Sequence, residues 1–315
     1  MLIESAKREY RTWIFDSRRW QYYRPRVEDI IIASYPKSGM TWMQRIVSLL
    51  VFQTSRPMPI MQISAWIDRR FPQSIEAAMA QLEVQEHRRF LKSHLPLDGL
   101  PFHGEVKYIH IARDGRDACM SFHNHAMGLT DRMLALLDRA GFEDNTVARP
   151  YPRPLNDPAQ HFHRWITQGA VPGHEDGSPS MSFFQFEQSW WTARQHSNVL
   201  LVHYNDLKSD LAGEMKRVAD FLDISVAPTL WPELVQAASF ETMRRDGDTL
   251  MGATAPLFKE GSRGFFFKGT NGRWQGVVSE EDLALYDAKL RAILSPACVQ
   301  WVSQGRLKAG DPRLL

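Results

Sequence analysis

Apolar residues gather in short runs that do not alternate with polar ones, and each run gives way to a polar loop and then to helical spacing. Asp29-Ile30-Ile31-Ile32-Ala33-Ser34-Tyr35 is the first such run. A β-branched run of this kind predicts a strand buried on both faces. Pro36 stops it and Gly39 supplies a turn. Trp42, Ile46, Leu49 and Leu50 then recur at helical spacing, which predicts a helix over 41–52. The pattern returns as a strand over 106–112, a polar loop over 113–117 and a helix over 118–127. It returns again as a strand over 199–204, a turn at Asn205-Asp206 and an amphipathic helix over 208–222. Phe90-Leu91-Lys92-Ser93-His94 is a fourth, shorter strand halted before Pro96, and a last helix is predicted over 280–294. Strands alternating with helices predict an α/β domain with a mostly parallel sheet.

Two regions break the pattern. Residues 128–180 are rich in Pro and Gly, with one helical patch at 131–140. Long excursions of this kind are usually lids or binding loops. Residues 244–276 are Gly-rich and basic. A single domain over 1–315 is expected, with a lid or acceptor insertion at 128–180 and a covering segment at 244–276. Hydrophobic residues make up 43% and charged residues 23%, which fits a globular chain and argues against disorder. The 38 Lys+Arg and 36 Asp+Glu leave a net charge of +2, so there is no general nucleic-acid footprint and any anion site must be local. Cys119 and Cys298 are too few for a disulfide framework and fit a reducing compartment. No secretory signal opens the chain, and no window is apolar enough to span a membrane. A cytoplasmic protein is expected.

The candidate chemistry concentrates in the loops after the strands. Ser34-Tyr35-Pro36-Lys37-Ser38-Gly39-Met40-Thr41-Trp42 joins the first strand to its helix. A helix N-terminus presents unpaired N–H groups and partial positive charge, and so attracts phosphate. Lys37 adds a full charge, Ser38 and Thr41 add hydroxyl donors, and Gly39 permits close backbone approach. Lys precedes Gly here, so the order is not that of a Walker loop, and no motif supplies an acidic Mg²⁺ ligand. That weighs against a small-molecule P-loop kinase. Taken alone, the loop reads equally as a turn with a solvated lysine.

Arg113 through Ser121 ends the second long strand and opens its helix, where ligands of open parallel sheets collect. The Arg113 fork can take a phosphate through two hydrogen bonds, and Ser121 lies one turn beyond Asp117. The bland alternative pairs Arg113 and Arg116 with Asp114 and Asp117. Lys92-Ser93-His94-Leu95-Pro96 sets an imidazole on the same sheet edge, suited to proton abstraction near neutral pH.

These segments, in this order, resemble the motifs of the PAPS-dependent sulfotransferases of the cytosolic type, PAPS being 3′-phosphoadenosine 5′-phosphosulfate. Residues 35–42 resemble the 5′-phosphosulfate loop, 92–96 the segment carrying the general base, 113–121 the 3′-phosphate segment, and 267–274 the C-terminal Arg-Lys-Gly-x-x-Gly-Asp-Trp segment. Residues 44–52, 85–90 and 96–100 most resemble bacterial glycolipid sulfotransferases. The resemblance implies a P-loop-like three-layer α/β/α fold with a central, mostly parallel sheet. It implies PAPS as co-substrate, adenosine 3′,5′-bisphosphate as product and no metal.

By the same resemblance His94 deprotonates the acceptor hydroxyl, Lys37 neutralises the oxygen bridging sulfur to the 5′-phosphate, and Lys92 contacts the sulfonate oxygens. Ser121 binds the 3′-phosphate with Arg113 and holds Lys37 back until acceptor arrives. Ser38, Gly39, Met40 and Thr41 belong to the donor loop, Trp42 and Phe240 sandwich adenine, Tyr204 lies nearby, and Lys268 and Gly269 cover the nucleotide. Two departures stand out: Phe267 occupies the place of the usual Arg, and Arg273 that of the usual Asp. Arg263, Arg273 and Lys268 are the candidate replacements, and donor binding is expected to lean on Arg113 and Lys268.

A hydrophobic acceptor, either a small alcohol or phenol or a glycolipid, is expected at Trp66, Phe71 and Phe122, with Phe102, Met127 and Phe142 also flanking the base. Each of these reads equally as core. His123-Asn124-His125 and His161-Phe162-His163 lack an acidic or Cys partner, and positions two apart diverge on a helix, so a metal is not expected there. Cys119 reads as packing. A nucleotide-binding protein without turnover is the remaining alternative, and His94, Lys37, Ser121 and Lys92 together weigh against it. No nucleic-acid partner is expected, and a homodimer is left open.

Overall fold

Ile30–Ala33 carries no polar side chain. In the computed structural model, which describes all 315 residues, it is the central strand of a five-stranded sheet and is wholly buried. We label this strand β1, followed by β2 (Ala65–Trp66), β3 (Phe90–Ser93), β4 (Lys107–Ala112) and β5 (Val199–His203). The order across the sheet is β2-β3-β1-β4-β5, and every neighbouring pair is parallel. Ile30 stands opposite Phe90 and Lys107, and Ala33 opposite Ser93 and His110. With this register the loops after β1, β3 and β4 emerge along one edge.

Eight helices matter to the site and core: α1 (Met40–Phe52), α2 (Gly115–Met127), α3 (Asp131–Phe142), α4 (Pro158–Thr167), α5 (Phe183–Thr192), α6 (Leu211–Phe221), α7 (Glu280–Ile293) and α8 (Pro296–Gln304). Successive strand residues point to opposite faces, and both faces are covered. Ile31, Ala33, Leu91, Tyr108 and Leu201 enter one core with residues of α2, α4, α5, α7 and α8. Ile30, Ile32, Phe90, Ile109 and Val202 enter another with α1 and α6. Burial on both sides removes any need for alternation, which is why the strands read as unbroken apolar runs. The result is the three-layer α/β/α arrangement. A smaller antiparallel pair, Leu2–Glu4 with Phe102–His103, lies apart from it.

A third core lies outside the sheet. Leu129, Met133, Leu137 and Tyr151 pack there against Met243, Leu250, Met251 and Phe258, so the two irregular regions of the sequence rest on each other.

The structure differs from the sequence pattern in two places. The helix expected over 208–222 is two helices, Tyr204–Ser209 and α6, because Asp210 leaves the helix and accepts from the Gly213 N–H at 2.8 Å as a new N-cap. The excursion at 128–180 contains α4, whose Phe162 and Trp165 are buried in the main core. Trp165 Nε1 donates to the Tyr35 hydroxyl at 2.8 Å. No helix is long and apolar enough to cross a membrane.

The neighbouring strands β1 and β4 send their following helices to opposite faces of the sheet. α1 packs in the core of Ile30 and Ile32, whereas α2 contributes Ala118, Cys119 and Met120 to the other. Such a divergence opens a crevice at the carboxyl ends of the two strands, where ligands of this architecture bind.

Candidate active site

The crevice leads into a cavity of ≈ 280 Å³. Its wall carries Lys37, Arg69, Lys92, Arg113, Lys268 and Arg273, and no Asp or Glu. A concave site lined by one sign of charge concentrates the opposite sign.

The loop after β1 is shaped by two left-handed residues, Lys37 at φ 73° and Gly39 at φ 114°. A Cβ on Gly39 would stand 2.7 Å from Ile111 Cδ1 and 3.1 Å from the Tyr204 ring, so only glycine lets α1 begin this close to β4. No side chain caps α1. Its first N–H groups are left for a ligand. The start of α2 is different, because Asp114 accepts from the Arg116 N–H at 2.9 Å.

Lys37 Nζ is 3.3 Å from His125 Nδ1 and 4.6 Å from the centre of the Phe265 ring. Lys92 Nζ lies 3.9 Å from the Trp66 ring. Burial, then Arg113 and Arg273, brings the Lys37 pKa down to about 7. Burial and Arg69 bring Lys92 to about 7 as well, against the opposing pull of Asp68. His94 Nδ1 is 2.7 Å from the Ser34 carbonyl oxygen. A carbonyl only accepts, so Nδ1 carries the proton and Nε2 keeps a lone pair. Burial and the neighbouring Lys92 charge hold the His94 pKa well below 6.5, which keeps the ring neutral.

Arg113 has no carboxylate partner. It donates to the Lys37 carbonyl at 3.2 Å, to the Thr270 carbonyl at 3.1 Å and to Asn271 Oδ1 at 2.7 Å, with its guanidinium 4.1 Å from the Tyr204 ring. Arg116 alone takes the ion-pair option, binding Asp114 at 3.0 and 2.6 Å. The Asp117 carboxylate accepts from the Gly272 N–H at 2.7 Å and ties the C-terminal segment to α2. At Gly269, φ 63°, a Cβ would lie 2.8 Å from the Phe240 ring, so this segment runs directly over that aromatic. Trp42 donates through Nε1 to the Ala238 carbonyl at 2.8 Å and meets Tyr204 edge-on at 5.3 Å.

Lys37, Gly39, Met40, Thr41 and Trp42 line the cavity, as do Lys92, His94, Arg113 and Ser121. Tyr204, Phe240, Lys268, Gly269, Trp66 and Phe122 join them. Ser38 does not; it is buried behind the loop with its hydroxyl unpaired. Phe71 is also absent from the wall, because the Arg69 guanidinium lies 5.3 Å from the Trp66 ring and 5.6 Å from Phe71, and takes the wall position itself. Phe102 packs on Tyr108 at the start of β4, 4.9 Å ring to ring, away from the strand ends. Phe142 is 63% exposed, and Met127 turns its carbonyl to Lys259. Of the three cations expected to replace the missing Arg, Arg273 and Lys268 line the cavity, while Arg263 faces solvent.

Two residues of the site, His125 and Asp68, had no signal in the sequence. His125 contacts Lys37 from α2. Asp68, fully buried, accepts from Trp20 Nε1 at 3.1 Å, Trp66 Nε1 at 2.9 Å and the His94 N–H at 3.3 Å. Arg273 lies close enough to Arg113 that their charges oppose each other, and its buried Nε has no partner. No group of three or more His, Cys, Asp or Glu is placed to hold a metal ion; the His123 and His161 rings stand 5.0 Å apart without a third ligand. Burial raises the Cys119 thiol well above its ordinary value and leaves it unreactive.

The sulfotransferase domain matches residues 27–295 of this chain. A glycolipid sulfotransferase of Mycobacterium bovis (strain BCG / Pasteur 1173P2) is 31% identical over 320 residues, covering 96% of each chain. Among solved structures, retinol dehydratase in complex with androsterone and the inactive cofactor PAP has a TM-score of 0.64 at 20% identity, over 87% of this chain and 82% of that one. Mouse sulfotransferase SULT7A1 complexed with PAP has a TM-score of 0.60 at 21% identity, over 86% and 87%. The chain belongs to the sulfotransferase family.

Proposed function

We propose that this protein moves a sulfonate group from PAPS to a hydroxyl of a hydrophobic small molecule or glycolipid. One observation carries the reading: six cations and no carboxylate line a cavity that opens at an uncapped helix N-terminus. A donor with phosphates at both ends of an adenosine would satisfy that charge, and PAP in the related complexes supports this choice of nucleotide. Lys37 and the first N–H groups of α1 face the 5′ end. Arg113, Ser121 and Arg273 face the 3′-phosphate. Phe267 cannot bind a phosphate, and Arg273 is better placed than Lys268 to do so in its stead, since it is half-buried with an unpaired Nε whereas Lys268 is exposed. Trp42, Phe240 and Tyr204 offer ring faces and edges to adenine.

The acceptor oxygen attacks sulfur in line as His94 Nε2 takes its proton. The sulfur–oxygen bond to the 5′-phosphate breaks, and adenosine 3′,5′-bisphosphate leaves. Lys37 meets the charge that gathers on the bridging oxygen, and Lys92 the sulfonate oxygens. The Ser34 carbonyl and Asp68 hold the imidazole and its backbone in place. Trp66, Phe122, Leu129, Met133 and Phe258 make the acceptor end greasy. The likeness to a glycolipid sulfotransferase supports a lipid-bearing acceptor. The segment carrying Leu129, Met133 and Tyr151 covers that end as a lid and limits loss of sulfonate to water. Two free, buried cysteines support a cytoplasmic setting.

Replacing His94 by Ala tests the assignment. Transfer, followed with labelled donor across a panel of lipid and phenolic alcohols, should fall ~10²–10⁴-fold. Calorimetric affinity for adenosine 3′,5′-bisphosphate should stay within about twofold of wild type, because the ring donates to Ser34 and not to the nucleotide. Normal turnover in that variant would remove His94 from the mechanism.

A further inference from the structure

We propose that His125 is the hydrogen-bond acceptor that positions the Lys37 ammonium in the ligand-free site. The inference rests on the reading of Lys37 as the lysine that meets the donor. His125 lies four residues, one helical turn, after Ser121 on α2, so both face the same cavity. Its ring sits 5.0 Å from Phe258 and 6.0 Å from Phe265, with Nδ1 3.3 Å from Lys37 Nζ. No other group in the protein, Ser121 included, hydrogen-bonds that ammonium.

The direction of the bond follows from chemistry. An ammonium only donates, so Nδ1 accepts and the ring proton sits on Nε2, which opens to the cavity. The imidazole stays neutral because burial disfavours its charged form and two ammonium groups stand near it, Lys37 after β1 and Lys92 on β3, with the neutral His94 ring beside them. Only the neutral ring can serve here, since an imidazolium has no lone pair to accept with and would repel Lys37. For Lys37, burial, Arg113 and Arg273 all oppose the charge. A hydrogen bond to the charged form opposes them in turn. His125 therefore raises the protonated share of Lys37 near pH 7 and parks the ammonium on the Phe258 side of the cavity. An arriving anion takes the ammonium over.

The test is a titration of ¹³Cε-labelled lysine by NMR in the ligand-free protein, with the Lys37 signal assigned through Lys37→Met. His125→Phe keeps the contacts with Phe258 and Phe265 and removes the lone pair. The Lys37 midpoint should fall by about one pH unit, the scale of a charge-assisted hydrogen bond. His125→Gln retains an acceptor oxygen and should stay within a few tenths of wild type. In ¹⁵N-histidine spectra, His125 should be the neutral Nε2–H tautomer, with an Nδ1 signal that moves in Lys37→Met. Adding adenosine 3′,5′-bisphosphate should move it the same way. Identical Lys37 midpoints in wild type, His125→Phe and His125→Gln overturn the proposal, as does an Nδ1 signal indifferent to Lys37→Met. Calorimetry that finds no bisphosphate binding would instead overturn the donor reading, and the ligand-free titrations would still decide the contact.

Discussion

Half-buried Lys37 and buried Lys92, each ionising near pH 7, face the same cavity with no carboxylate on its wall. In the ligand-free protein each loses its proton readily, because burial and like charges disfavour the ammonium. A bound dianion reverses both effects and raises the two pKa values. Binding must therefore take up protons wherever the empty site has lost them, which is at and above about pH 7. The sign follows by linkage: affinity for adenosine 3′,5′-bisphosphate falls as pH rises through the ligand-free values. At about pH 8 the uptake should lie between one and two protons per nucleotide. Calorimetry in buffers of different ionisation enthalpy measures this directly. Zero uptake there would mean that both ammoniums are already charged in the empty cavity. His94 adds nothing to this slope, since its pKa lies well below 6.5 in the free site and it stays neutral throughout.

The loop after β1 is held from behind by a helix that belongs to the irregular region. Trp165 of α4 is 1% exposed and donates to the hydroxyl of Tyr35, the residue before Pro36. A helix that only gates the site would tolerate truncation there. Trp165→Ala should instead destabilise the fold by about 3–5 kcal/mol, read as a lowered urea midpoint, because it empties a packed position. A loss below about 1 kcal/mol would mark α4 as loosely attached. β1, β3, β4 and β5 were legible in the sequence because strands buried on both faces print as apolar runs. β2, two residues long, is too short to print any pattern. α5 was missed although Gln185, Gln188, Ser189 and Thr192 recur at helical spacing, along the one face that Phe183, Phe184, Phe186, Trp190 and Trp191 leave uncovered. At the site, residues in strand-end loops could be found from their neighbours in the chain. His125 and Asp68 could not, because their partners Lys37 and Trp20 lie 88 and 48 positions away and only the fold brings them together. Phe71 failed for a related reason, since nearness in sequence to Trp66 did not decide which side chain, Phe71 or Arg69, reached the wall.

Across the whole molecule the site joins the two ends of the chain. The sheet edge supplies Lys37 and Arg113, and the segment 267–273 closes over them through Arg113–Asn271, Asp117–Gly272 and Gly269 on Phe240. A nucleotide bound there clamps the C-terminal segment to the sheet and stabilises only the folded chain. At a hundred times its Kd, such a ligand adds about 2.7 kcal/mol. With an unfolding entropy of about 2.1 cal/mol/K per residue over 315 residues, the melting midpoint should rise by about 4 °C. The same shift distinguishes the two candidates for the 3′-phosphate role that Phe267 cannot fill. Arg273, half-buried beside Arg113 with a free Nε, should contribute a charge-assisted bond of about 1.5–3 kcal/mol. Arg273→Ala at the same nucleotide concentration should therefore shift by about 2 °C or less. Lys268 is solvent-exposed, and Lys268→Ala should keep most of the rise of about 4 °C. The reverse ranking would return the role to Lys268, and the proximity of Arg273 to Phe267, 5.5 Å from ring to guanidinium, would then be packing alone.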